Sequence, residues 1–258
     1  MRRILILIAV LAGIYIVYGG AMVWAHRAFI YPFFPEELPI PGYARITVPV
    51  DPPVRIAQAE GSGPVILFFM GNAGNLGAFG PWLDMHRQAG RNVIALEYPG
   101  GAGLPGAPTE AGLKDAALTV HDWAAEKYPD RPIYIHGYSL GSGLAMHVAA
   151  ERDVAGVVLE APYAAICRLM QEAARLPACW MPVDRWNSLE LAPNISAPVL
   201  ILHGDADRVI PVSQSAELKA ALPGADYIVF KGGGHADLPT FPGYRESIDR
   251  ALSEWNGG

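Results

Sequence analysis

The chain has 258 residues, enough for one α/β domain or two small ones. Hydrophobic residues make up 52% and charged residues 17%, a balance that fits a large core with part of the apolar excess at one end. The formal net charge is −6, and Lys and Arg are scattered without a basic stripe, so no nucleic-acid partner is expected.

The apolar end comes first. Residues 4–25 contain no Asp, Glu, Lys or Arg. A helix of about 20 residues crosses a bilayer core of roughly 30 Å. Arg2 and Arg3 precede the run, and His26 and Arg27 follow it. The positive-inside tendency keeps the short N-terminus cytoplasmic and sends the rest of the chain across, with Trp24, Phe29 and Tyr31 suited to the far interface. The rival is a cleaved signal peptide and a secreted enzyme. The run is long for one, no clear A-x-A site ends it, and Gly19-Gly20-Ala21 is a weak site. The expected organisation is a membrane anchor over 1–28, a Pro-rich connection over 29–43, and a catalytic domain over 44–258.

Within that domain, strand-like and helix-like runs alternate. Ala44 to Val50 and Val54 to Ala59 read as strands, then the apolar run Pro64 to Met70. A glycine-rich loop and a helix through Trp82 to Ala89 follow, then a strand over Asn92 to Glu97. Thr109 to Tyr128 reads as a helix with Thr109 as its cap and Glu110 in its first turn. Further strands are expected at Pro132 to His136, Val154 to Glu160, Ala197 to Leu202 and Ala225 to Phe230, and a last helix from about Pro242 to Trp255. Near-continuous apolar strands between helices predict a mostly parallel sheet covered on both faces. Residues 161–195 break the alternation and read as a small cap-like insertion. Their apolar and aromatic residues, among them Tyr163, Leu169, Met170, Trp180 and Trp186, suit either helix-to-sheet packing or an acyl-chain wall. Cys167 and Cys179 lie in this insertion, and outside the cytoplasm they are free to pair. No Cys/His cluster has zinc spacing, so neither a metal nor a cofactor is expected.

Gly137-Tyr138-Ser139-Leu140-Gly141 carries the chemistry. It reads G-x-S-x-G between an apolar strand and a helix. That context puts Ser139 on a sharp turn with its hydroxyl exposed, and puts the first helical N–H groups beside the reacting atom. A serine needs a general base such as imidazole, and the imidazole needs a carboxylate to fix its tautomer. Asp207 and then His235 follow in the chain, each just after an apolar strand. Asp205 and Asp237 compete with Asp207, which the spacing to Val209 and Pro211 favours. His136 and His203 read as packing histidines at strand ends, His147 as a helix residue, and Tyr138 as pocket wall.

Several further motifs stand in order. They are Phe69-Met70-Gly71-Asn72-Ala73-Gly74-Asn75, then Glu97 to Gly103 with Pro108-Thr109-Glu110, then Asp184-Arg185-Trp186-Asn187-Ser188-Leu189. His203-Gly204 with Asp207 and Pro211, and Gly234-His235, complete the set. From about Ala44 to Trp255 the chain thereby resembles the α/β-hydrolase superfamily. Within it, the closer likeness is to single-pass membrane serine hydrolases of the abhydrolase-domain type, a group with depalmitoylating thioesterases and lysophospholipid lipases among its relatives. The resemblance implies Ser139 as nucleophile, His235 as general base and then acid, and Asp207 as the orienting carboxylate. It implies an oxyanion hole from the backbone N–H groups of Leu140 and Asn72. Two positions depart from the family pattern, Met70 where it usually has His, and Ala236 where it often has Asn.

The expected activity is cleavage of carboxylic esters or thioesters, including lipid or acyl substrates, through an acyl-enzyme on Ser139. Haloalkane dehalogenases and epoxide hydrolases want Asp at that position. A peptidase of the same fold and a non-catalytic binding protein are the alternatives.

Overall fold

In the computed structural model, which describes residues 1–50 and 52–256, an eight-stranded sheet carries helices on both faces. The N-terminal helix α1 runs from Arg2 to Ile30, two residues past the anchor expected from the sequence. Only Gly19, His26 and Ile30 of it are buried. It is long and apolar enough to cross a membrane.

The sheet opens with β1 (Ala44–Val48) and β2 (Val54–Ala59), which pair antiparallel, and β2 pairs antiparallel with β4 (Asn92–Leu96). From there every pairing is parallel: β4 with β3 (Val65–Phe69), then β5 (Ile133–Tyr138), β6 (Gly156–Glu160), β7 (Val199–Gly204) and β8 (Asp226–Phe230). The spatial order is β1-β2-β4-β3-β5-β6-β7-β8. The central strands β3, β4, β5, β6 and β7 are buried throughout, as a sheet covered on both faces requires.

Between strands lie α2 (Gly80–Gln88), α3 (Glu110–Lys127), α4 (Leu140–Glu151), α5 (Ile166–Ala174), α6 (Ser188–Leu191) and α7 (Val212–Ala221), and α8 (Tyr244–Asn256) closes the chain's described part. Thr109 caps α3 as its residue type predicts, its hydroxyl accepting the Gly112 N–H at 3.0 Å. Helix α7 was not foreseen, because its apolar positions are too few to stand out from a loop. In the region 161–195, α5 and α6 are joined through a 3-10 turn at Ala178–Trp180, and a disulfide links Cys167 to Cys179.

The Pro-rich connection after α1 packs closely. Phe34 donates its N–H to the Ala73 carbonyl at 3.0 Å, and Phe34's own carbonyl accepts from Ala102 at 2.9 Å. The Asn75 amide donates to the Glu36 carbonyl. These bonds brace the glycine-rich loop after β3.

Candidate active site

Strand β5 ends at Tyr138 and α4 begins at Leu140, leaving Ser139 alone to turn the chain. Its φ of 51° lies in the left-handed region that costs a non-glycine residue energy. Two close approaches explain the flanking glycines. A side chain at Gly137 would meet the Gly141 carbonyl at 2.5 Å, and one at Gly141 would run into the Phe69 carbonyl. The turn is pinned by the Ser139 N–H donating to the Glu160 carbonyl at 2.9 Å, and by the Ser142 hydroxyl donating to the Ser139 carbonyl at 2.6 Å.

The loops after β7 and β8 bring Asp207 and His235 to the same sheet edge, at the carboxyl ends of the parallel strands. His235 Nε2 lies 2.9 Å from Ser139 Oγ, and its Nδ1 lies 2.7 Å from Asp207 Oδ2. A carboxylate only accepts, so Nδ1 carries the proton and Nε2 is free to take one from the hydroxyl. The second Asp207 oxygen accepts the backbone N–H groups of Val209 at 2.7 Å and Ile210 at 2.9 Å. Burial alone would raise the Asp207 pKa. Hydrogen bonds from His203 and His235, the charge of His235 and the Ile210 amide outweigh it and hold this carboxyl well below its usual range.

Asp205 and Asp237 have other partners. Asp205 accepts the Gly232 N–H at 2.6 Å, and Asp237 accepts the Gly234 N–H at 2.7 Å. Both fix the loop that carries His235. Tyr138 joins them. Its hydroxyl donates to the His235 carbonyl at 3.0 Å, and its ring centroid sits 5.3 Å from the imidazole's. Expected as pocket wall, it does not line the cavity over Ser139 and serves as a brace.

His203 is more than a packing residue. Its Nε2 donates to the Ile210 carbonyl at 2.9 Å and lies 3.3 Å from Asp207 Oδ2, with the side chain fully buried. His136 also has a larger part. Arg91 donates to His86 Nδ1 at 2.9 Å, His86 Nε2 meets His136 Nδ1 at 2.9 Å, and His136 Nε2 meets Glu160 Oε2 at 3.3 Å. Since Arg91 only donates, each ring passes a hydrogen bond onward in one direction. The same Glu160 oxygen accepts from Trp82 at 2.7 Å and Tyr244 at 2.6 Å. No sequence spacing marks this buried network.

A cavity of about 530 Å³ opens over Ser139, with Asn72 and Leu140 on its wall. Tyr163, Ile166 and Leu169 make one apolar side, and Phe29 and Ile30 at the end of α1 another. Arg208 and Glu172 supply charge to its lining. A cavity of similar size, about 520 Å³, lies among Pro53, Arg55, Pro99, Pro105 and Leu113 and touches none of Ser139, Asp207 and His235. Among the described residues no cluster of His, Cys, Asp and Glu is arranged to hold a metal.

This fold, with a serine at the turn between β5 and α4, defines the class: the chain belongs to the α/β-hydrolase superfamily. The family model for the alpha/beta hydrolase fold matches residues 64–183. An uncharacterised protein of Mycobacterium tuberculosis is 29% identical over 256 residues, covering 90% of this chain and 89% of that one. The lysophosphatidylserine lipase ABHD12 of Xenopus tropicalis is 32% identical over 213 residues, 71% of this chain. The match spans about half of that lipase, 53% of its length. A solved esterase of Pyrococcus furiosus superposes with a TM-score of 0.68 at 17% identity, covering 87% of this chain and 99% of that one. The esterase and lipase relatives support ester hydrolysis in general.

Proposed function

We propose that the chain is a membrane-anchored serine hydrolase that cleaves carboxylic esters or thioesters of acyl lipids through an acyl-enzyme on Ser139. The observation that carries this reading is the unbroken line of hydrogen-bond contacts from Ser139 Oγ through His235 to Asp207, 2.9 Å and then 2.7 Å, ending on a backbone-held carboxylate.

In this mechanism Ser139 Oγ attacks the acyl carbonyl as its proton moves to His235 Nε2. The charged imidazole is stabilised by Asp207. Negative charge on the carbonyl oxygen is met by the N–H of Leu140, at the positive end of α4, and by the N–H of Asn72. Two such donors supply several kcal/mol, since losing one elsewhere costs about 3 to 4 kcal/mol. His235 then protonates the departing alcohol or thiol, and water takes the same route to release the acid. Esters and thioesters suit the site better than amides because their leaving groups depart more readily.

The apolar cavity wall and the lysophosphatidylserine lipases among the relatives favour a lipid acyl chain. The charge pattern around α1 supports a catalytic domain beyond the cytoplasm, and the Cys167–Cys179 disulfide fits an oxidising compartment. The test is a series of acyl esters and thioesters of increasing chain length, with Ser139→Ala beside wild type. Rates that rise with chain length and vanish in the variant are expected. Activity confined to acetyl esters would overturn the lipid assignment.

A further inference from the structure

Helix α1 does not stand clear of the domain it carries. Tyr15 and Tyr18 donate their hydroxyls to the Arg175 and Ala174 carbonyls, at 3.3 and 3.2 Å, where α5 ends and its last carbonyls lack helical partners. A side-chain carbon at Gly19 would lie 3.2 Å from Met181 Cε and 4.0 Å from Leu176 Cδ2. Asp184 then takes Arg27, at 3.3 Å, and the Tyr31 hydroxyl, at 2.7 Å. The segment from Ala174 to Asp184 therefore follows α1 from Tyr15 to Tyr31.

The charges bounding α1 fix where a bilayer fits. Between Arg3 and His26 the apolar run is 4–25, about 33 Å of helix. Tyr15 lies about 18 Å, and Gly19 about 12 Å, inside Arg27 along the axis. Residues 4–14, the part of the run before these contacts, make only about 16 Å of helix, half of a core of roughly 30 Å. A bilayer that α1 crosses must take in the segment packed against it.

That segment is built for such a place. Leu176-Pro177-Ala178-Cys179-Trp180-Met181-Pro182-Val183 holds no charge, and Trp180 is 90% exposed. The amides of Ala178, Trp180, Met181 and Val183 each donate to a carbonyl within the segment, at 2.8 to 3.0 Å, and its two prolines have no N–H to satisfy. Irregular backbone at membrane depth is tolerated where it packs against protein, as this segment does against α1 at Gly19. Arg175 beside it is exposed at the level of Tyr15, where a charge is costly and has to draw water or headgroups inward.

Between α1 and α5 runs a cleft of about 250 Å³, lined by Tyr18, Met22, Ala25, Phe29, Met170 and Ala173. Phe29 and Ala173 also line the Ser139 cavity, so the two are adjacent. We propose that Leu176–Val183 is embedded in the far leaflet beside α1, and that the α1–α5 cleft admits one acyl chain of a bilayer lipid sideways to Ser139. The second half of this rests on the hydrolase reading above; the first does not.

The full chain is reconstituted in phosphatidylcholine vesicles whose acyl chains carry bromine at mid-chain. Tryptophan emission is compared for wild type and Trp180→Phe. The emission lost with Trp180 is expected to be quenched by at least half, and unquenched Trp180 emission would overturn the embedding. In the same vesicles, hydrolysis of a long-chain lysophospholipid is compared with that of a water-soluble short-chain ester. Met22→Trp, and the smaller change Ala25→Leu, are expected to lower the long-to-short rate ratio tenfold or more, and an unchanged ratio in both would overturn the doorway. If wild type hydrolysed neither ester, the hydrolase reading and the doorway would fall together, while quenching of Trp180, which needs no turnover, would still support the embedding.

Discussion

The Tyr98 hydroxyl donates to the Met70 carbonyl at 2.7 Å, and both side chains are fully buried. This bond holds the loop that carries Asn72. The Met70 side chain contributes only packing, and its backbone carbonyl makes the polar contact. Tyr98→Phe leaves that carbonyl unpaired. It is expected to cost about 1 to 3 kcal/mol of stability, read by thermal unfolding. It is also expected to lower kcat more than it raises KM, because the loop donor acts on the transition state.

His203 is expected to act through Asp207. Replacing it by Phe removes a buried hydrogen bond to a charged group, worth about 1.5 to 3 kcal/mol. The expected outcome is a kcat about ten- to a hundredfold lower with KM little changed. A change in KM alone would argue that His203 only shapes the pocket.

Asp207 sets a pH dependence. Its folded pKa is depressed, so the stability it contributes is complete above the ordinary carboxylate value of about 3.9. That contribution declines as pH falls below this value and is lost as pH passes the depressed folded one. The Tm difference between wild type and Asp207→Asn is therefore expected to be constant from about pH 5 upward and to shrink in stronger acid. By the same sign, Asp207 stays charged across the neutral range, and the acid limb of a pH–rate profile is not its titration.

Asp184 ties α1 to the domain. Burial opposes its charge, but hydrogen bonds from Tyr31, Arg27 and the Glu110 amide prevail and lower its pKa. Asp184→Ala leaves the buried Tyr31 hydroxyl and the Glu110 amide without this partner, while the half-exposed Arg27 stays solvated, and a loss of about 1 to 3 kcal/mol is expected in detergent-solubilised protein. Protease cleavage between α1 and β1 should rise with it.

Much of the site was legible in the sequence because its chemistry is local. A serine between glycines, after an apolar run and before a helix, states its own geometry. Asp207 and His235 each follow a strand whose apolar run is plain. The residues that hold them were not legible. Tyr98 and Glu160 act on partners distant in the chain, so no spacing announces them, and His203, four residues before Asp207, read as a packing residue. Residues 29–43 read as a connection because proline dominates, yet the Phe34 N–H donating to Ala73 and the Glu36 carbonyl accepting from Asn75 brace the loop after β3. Helix α7 stayed hidden because only Gln214, Ser215 and Leu218 of it are buried, a face too polar to show helical periodicity.

The most direct test of the central claim is labelling by a fluorophosphonate probe, which modifies activated serines, on wild type and Ser139→Ala. Labelling of wild type that disappears in the variant is the predicted result. A folded wild type that takes no label, or a variant that labels as well, would contradict an activated nucleophile at Ser139.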